Sequence, residues 1–197
     1  AMTSRSQNAR GTGEHLRSEL VSAASAMLTS PQSMPLPSLR AVARACGVSP
    51  SAVYLHFDSQ LALVRAVVDA QLASLREHVL GHPHDESDRG RLVAIATGYA
   101  RWAMTHPGAY QLVFETAPHV GIVAHENPAD DLIDLLGDLL ATAQGSTAES
   151  AAADALVLWA GVHGMVLLRM HKPHLEWPRT VEDDVARLVD AVLAPVV

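Results

Sequence analysis

The sequence predicts an all-α protein, and three observations carry that prediction. Alanine, leucine and valine dominate an apolar half of the chain while aromatic residues are few, a balance that suits helices better than sheets. Apolar residues recur at three- and four-residue spacing along the longer segments. No stretch alternates with period two over a useful length, and no internal repeat is apparent. With 197 residues the chain holds one sizeable helical domain or a small module fused to a larger one, with core enough to need no staple. The lone Cys46 has no internal disulfide partner, so a reducing cytoplasm is the expected compartment.

Residues 1–13 read as a flexible basic arm; its first Ala looks like a cloning remnant, and the segment lacks the apolar core of a signal peptide. Glu14 to Leu28 forms the first helix, with Leu16, Leu20, Ala23, Ala24 and Met27 on one face. Pro31, Pro35 and Pro37 separate it from a short second helix, Ser38 to Cys46, whose Leu39, Val42 and Ala43 point one way. Gly47 offers the left-handed geometry that ends it. Ser49 is a good N-cap with Pro50 at the favoured first position, so the third helix runs from Pro50 to about Phe57. Asp58 or Ser59 can cap a long fourth helix reaching about Leu80.

Gly81 to Gly90 is polar and breaker-rich and reads as a loop. His78, His82, His84 and Asp85 gather there without a fixed geometry, so solvated histidines are favoured over a metal site, and no cofactor is expected. A fifth helix spans about Arg91 to His106, Pro107 stops it, and a short sixth follows from Gly108 to Glu115. Thr116 to Pro128 has no clear period. The seventh helix spans roughly Ala129 to Ala143. Ser146 and Thr147 then begin a cap, with Glu149 three residues after Ser146 as in a capping box, for an eighth helix to about His171. Thr180 caps a ninth, Val181 to Leu193. The most apolar stretch, Ala151 to Leu168, is interrupted by Asp154, His163 and two glycines, which favours a buried amphipathic helix over a membrane span.

The net charge of −7 argues at first against nucleic acid, but it is unevenly spread. Residues 1–65 carry six Arg against Glu14, Glu19 and Asp58, giving +3, while the remainder carries eight basic against eighteen acidic residues, giving −10. Only the first third suits a polyanion. Within it, two short helices joined by a tight glycine turn form a helix-turn-helix pattern. Val53 and Phe57 lie one turn apart and pack inward against Leu39, Val42 and Val48, which turns Ser51, Ala52 and Leu55 outward toward base edges. Ala52 and Leu55 lack donors and suit thymine methyls, whereas Ser51 serves a base or a phosphate. Tyr54 and His56 flank that face with groups that suit phosphate oxygens. Arg40, Arg44 and the Arg5 to Arg10 arm add salt-dependent affinity.

The segment LRAVARACGVSPSAVYLHFDSQLALVRAVV resembles the N-terminal domain of the TetR family of regulators, in its LRxVA start at Leu39 to Ala43, its GVS turn at Gly47 to Ser49 and its Y-x-H-F end at Tyr54 to Phe57. The resemblance implies a DNA-binding domain over residues 14–60, with Ser38, Tyr54 and His56 as phosphate contacts and Arg40, Ser49, Pro50, Ser51, Ala52 and Leu55 in the same interface. Where many members carry Lys, this chain has Gln60, whose neutral amide can still donate to phosphate. GYARWAMTHPGAYQLVF at Gly98 to Phe114 and WAGVHG at Trp159 to Gly164 resemble the regulatory domain of a subgroup with a Trp-His-Gly signature.

Residues 61–197 are accordingly expected to bind a ligand and to dimerise. Trp102, His106, Tyr110, Phe114, Trp159 and His163 are candidates to line an apolar pocket, or else to fill the core. The resemblance implies a four-helix interface between the last two helices of each subunit, and Ala152, Ala155 and Val162 on one helix with Val185, Leu188, Val189 and Val192 on the other are candidates for it. Partners follow: double-stranded palindromic operator DNA, a second copy of the chain and an unidentified apolar small-molecule effector that releases a repressor, with no membrane. No nucleophile elbow, phosphate-binding glycine loop or catalytic cysteine setting points to an enzyme. A helical protein-interaction module without specific DNA binding is the alternative reading.

Overall fold

The computed structural model describes residues 6–28, 36–81, 83, 85–122 and 128–194, and every regular element among them is helical. In chain order these are α1 (Ser6–Ala26), α2 (Leu39–Ala45), α3 (Pro50–Tyr54), α4 (Gln60–Leu80), α5 (Asp88–Thr105), α6 (Pro107–Tyr110), a π-helical segment (Gln111–Thr116), α7 (Ala117–His119), α8 (Pro128–Gln144), α9 (Ala148–His171) and α10 (Val181–Leu193). Contacts divide the chain into two compact units, Ala1–Gln71 with Pro107–Ala124, and Leu72–His106 with His125–Val197.

In the first unit α1 packs on α2 and α2 on α3, around Leu20, Val42, Val53 and Phe57, each no more than 2 % exposed. Leu63, Val64, Val67 and Val68 of α4 are buried as well. Gly47 turns the chain between α2 and α3 at φ 67, a region that costs a side-chain-bearing residue free energy. A second glycine matters for space: a Cβ on Gly108 would lie 2.7 Å from the carbonyl oxygen of Leu28. The absence of that atom lets the start of α6 lie directly against the end of α1. In the second unit α5, α8, α9 and α10 pack on one another, burying Leu92, Leu136, Leu140, Leu158 and Val185 almost completely. By length and composition α9 alone among the described helices could cross a membrane, yet its stripe Ala151, Ala155, Leu158, Val162 and Val166 is buried inside this unit.

Several boundaries differ from those predicted. α1 begins at Ser6, eight residues before Glu14, so the segment foreseen as a flexible arm is helical from there; Arg5 lies outside the described residues, as do His82 and His84. α3 ends at Tyr54, and Leu55 to Phe57 continue as a turn in which the amides of both His56 and Phe57 donate to the Val53 carbonyl. α5 starts at Asp88 because Ser87 caps it, its Oγ accepting from the Gly90 amide at 2.9 Å. The cap of α9 falls at Thr147, which accepts from Ser150 N, while the Ser146 hydroxyl donates to Gln144 Oε1 instead. The segment without a clear period follows directly on the π-helical turn, whose five-residue hydrogen-bond spacing breaks the helical pattern; residues 123–127 are outside the described set.

Candidate nucleic-acid interface and effector unit

Each short helix of the reading surface is fixed at its start by a serine. Ser38 Oγ accepts from the Ala41 amide at 3.1 Å and Ser49 Oγ from the Ala52 amide at 3.2 Å. A hydroxyl that accepts in this way still has its own hydrogen to donate, so Ser38 can cap α2 and meet a phosphate at once. Ser49 and Ser51 share a hydroxyl contact of 2.9 Å, which orients both at the N-terminal end of α3. Val53 and Phe57 hold α3 from the inside. Ser51, Tyr54 and Leu55 face solvent, Ala52 and His56 are half-buried, and Leu55 is 85 % exposed. An aliphatic side chain left this bare gains free energy by meeting an apolar surface. Pro50, Arg40 and Arg44 are also exposed, and neither arginine makes an ion pair among the described residues.

Gln60 departs from its predicted role. Its Nε2 donates to the carbonyl oxygens of Leu36 at 2.9 Å and Pro37 at 3.3 Å. Carbonyls only accept, so the amide nitrogen must face them, and both its hydrogens are spent on the chain entering α2. The group left over is an acceptor, which phosphate does not welcome. Gln60 thereby ties the start of α4 to the chain entering α2. The Sγ of Cys46 lies 3.7 Å from the Glu19 carbonyl, and burial, with Glu19 beside it, pushes the thiol's pKa up, which lowers its thiolate fraction.

One cation of this surface was not singled out from the sequence. The guanidinium of Arg17 on α1 lies over the Phe57 ring, 5.1 Å from its centroid. Charge counting puts Arg17 in the basic third of the chain but cannot show which α1 face meets the turn after α3.

Within the two units, the six residues foreseen for a ligand pocket include three ring pairs. Tyr110 and Phe114 meet within the first unit, ring centroids 5.0 Å apart and planes tilted by 44°. In the second unit, Trp102 is fully buried, donates from Nε1 to Ser74 Oγ at 3.2 Å and stacks on the exposed His106 at 5.5 Å. Trp159 and His163, both half-buried, meet at Tyr99: its hydroxyl lies 2.7 Å from His163 Nδ1 and its ring 4.5 Å from that of Trp159. Tyr99, 1 % exposed, organises this third cluster, and nothing in its spacing from Trp102 and Tyr110 marks it out in the sequence. Beside it lies a wholly apolar void between α5, α8 and α9, lined by Ile95, Leu132, Leu136, Leu158 and Val162 together with Tyr99 and Trp159. Its volume of about 10 Å³ has room for one water, far less than a small-molecule site needs.

A family profile described as the tetracyclin repressor-like C-terminal domain matches residues 92–192, and that of the bacterial regulatory proteins, tetR family, matches residues 23–67. The chain belongs to the TetR family. It is an all-helical regulator whose helix-turn-helix DNA-binding domain precedes a helical C-terminal domain. Several solved structures share the fold. A protein of unknown function from Rhodococcus sp. RHA1 is 24% identical with a TM-score of 0.71, covering 90% of this chain and 93% of its own. BioQ with its natural double-stranded DNA operator is 21% identical with a TM-score of 0.63, covering 90% and 97%. The TetR family transcriptional regulator PfmR from Thermus thermophilus is 18% identical with a TM-score of 0.58, covering 80% and 88%. No curated protein matches the chain.

In this TetR-family chain the stripes drawn for a second copy are largely turned inward. Ala155, Val162, Val185 and Val189 are no more than 2 % exposed within their own unit, so they have almost no area left to give a partner. Periodicity identified a stripe on each helix but could not tell which neighbour covers it. Ala152 is exposed, and Leu188 and Val192 are half-buried. The apolar face that α9 leaves open is a different one: Leu156 is 56 %, Val157 62 % and Leu168 45 % exposed, with Ala160 between them. It borders an open groove of about 750 Å³ whose walls include Gly164, Leu168, Trp177 and Leu188.

Proposed function

We propose that the protein is a repressor that binds a palindromic operator as a homodimer in the cytoplasm and is released by an apolar small-molecule effector. The observation that carries this reading is the α3 surface, where Ser51, Tyr54 and Leu55 stand outward on a helix held from inside by Val53 and Phe57. Residues 14–60 read the DNA and residues 61–197 sense and pair. Ser51, Ala52 and Leu55 meet base edges, with Leu55 on a thymine methyl, while Ser38, Arg40, Tyr54 and His56 fix the register on phosphates. The similarity to BioQ with its operator supports docking on a duplex.

One short recognition helix reads few bases, whereas two related by a dyad address half-sites about 34 to 36 Å apart. The open α9 face supports pairing with a second copy, because Leu156, Val157, Ala160 and Leu168 form a continuous apolar strip at helical spacing. The effector enters by widening the apolar gap beside Tyr99 and Trp159, which brings it toward the Tyr99–His163 pair next to that lining. Trp159, His163 and Gly164 suit the subgroup with the Trp-His-Gly signature. α4 begins in one unit and ends in the other, so it is the lever through which ligand binding shifts the population toward a form that does not fit the operator.

The test is binding of the purified protein to duplex DNA flanking its own gene across a salt series, with and without apolar ligands, alongside light scattering. Specific, salt-sensitive binding by a dimer that a ligand weakens supports every part. Leu55→Ala should relax base preference at one position and Tyr54→Phe should weaken binding on all sequences. Val157→Asp should give monomers with lost operator affinity; a dimer that survives this change overturns the α9 face. Absence of DNA binding under all conditions overturns the reading as a whole.

A further inference from the structure

We propose that Arg17 of α1 is a phosphate-contacting residue of the DNA interface, held ready for that role by the ring of Phe57. The inference rests on the DNA-binding reading and adds a contact from a helix outside the helix-turn-helix. Its first support is position. Arg17 lies over Phe57 at 5.1 Å, and Gly13, one turn earlier on the same α1 face, approaches His56, whose Cε1 is 3.9 Å from where a Cβ would stand. This face of α1 therefore lies beside the end of the segment that presents Tyr54, Leu55 and His56.

The second support is charge. Arg17 is exposed and makes no ion pair among the described residues. The two carboxylates nearest to it on α1 do not engage it: Glu19 lies 3.2 Å from His15, and Glu14 makes no ion pair with it. The third is the geometry of the group. A guanidinium held over the face of an aromatic ring uses none of its N–H donors there, and those donors suit phosphate oxygens. A long side chain already fixed against a ring loses less freedom on binding than one that swings in solvent. Phe57 is 2 % exposed and belongs to the same buried set as Val53, so it holds Arg17 in register with α3.

A phosphate contact has a signature that a packing role lacks, because each neutralised phosphate adds about 0.9 to the slope of log affinity against log salt. Wild type, Arg17→Gln, Arg17→Met and Arg17→Lys are titrated with two duplexes of about 30 base pairs, one enriched by the wild type from a random pool and one of unrelated sequence. Gln and Met should each flatten the slope by about 0.9, so that affinity lost between about 50 and 200 mM salt is about 3.5-fold smaller than for wild type, on both duplexes. Lys should restore the slope, since it brings the charge back. Wild-type slope in the Gln and Met variants overturns the assignment, as does a weakened affinity that Lys fails to rescue. Circular dichroism melts accompany each titration, and a loss of binding that follows only unfolding also overturns it. Failure of the wild type itself to bind either duplex would instead remove the DNA-binding reading, so the two failures are distinct.

Discussion

α2 and α3 span seven and five residues, too short to be stable alone, and each is started by a serine that accepts a backbone N–H. In the second unit α5, α8 and α9 run for 18, 17 and 24 residues and are held by burying leucine, valine and aromatic side chains against one another. The first region keeps a set of exposed polar and apolar groups in place with local backbone devices. The second spends its surface on packing and leaves one α9 face and a narrow void. A substitution should therefore damage function ahead of stability in the first region and stability ahead of function in the second.

The largest effect is expected at Trp102, which is fully buried and bonded to Ser74. Trp102→Ala should cost about 3–5 kcal/mol, read as a lower urea midpoint, because it opens a cavity and removes the donor to the half-buried Ser74 hydroxyl. Gly108→Ala tests whether packing counts as heavily in the first unit. The added methyl meets backbone atoms of Leu28 at 2.7 and 2.8 Å, which no rotamer change can relieve. A loss of about 1–3 kcal/mol is expected. An unchanged melting temperature would show that the end of α1 gives way easily.

Ser49 separates stability from recognition. Ser49→Ala should cost about 1 kcal/mol by removing the α3 cap. Ser49→Asp keeps a capping acceptor but adds a negative charge beside Ser51, so its melting temperature should stay near wild type while DNA affinity falls. Equal losses in both measurements for Asp would mean that the cap, and not the charge facing DNA, sets affinity.

The same contrast explains what was legible in the sequence. The reading surface is encoded locally: Gly47 requires its turn, Ser49 and Pro50 start α3, and Val53 with Phe57 identifies the inward face from spacing alone. The second unit is encoded by long-range contacts. Its helices follow from periodicity, but on a helix such as α9, apolar nearly all round, spacing cannot decide whether Ala155 and Val162 or Leu156 and Val157 meet the unit's own core. Tyr99 became visible as a site residue only when α9 brought His163 to its hydroxyl. The partners of Gln60 are hidden from the sequence for a related reason, being carbonyls more than twenty residues earlier in the chain.

The smallest effect concerns the ion pairs that tie α10 to α5. Arg89 meets Asp190 through two bonds of 2.7 and 2.9 Å, and Arg101 meets Glu182 at 2.7 Å. The hydrogen bond from Arg89 holds the Asp190 carboxyl below its usual range, and a backbone hydrogen bond together with Arg101 does the same for Glu182. A carboxylate with a lowered folded pKa stabilises the fold above its unfolded pKa, about 3.9 for Asp and 4.3 for Glu, and loses that contribution as pH falls through the folded value. Stability should therefore be insensitive to these groups from neutrality to about pH 5 and decline below it. All four side chains are at least 40% exposed, so solvent screening keeps the effect small and salt should reduce it further. Arg89→Gln should leave the neutral melting temperature nearly unchanged and make the acid decline shallower. A decline as steep as that of the wild type would assign acid sensitivity to carboxylates elsewhere, such as Asp184 of α10, which Arg169 of α9 meets at 2.7 Å.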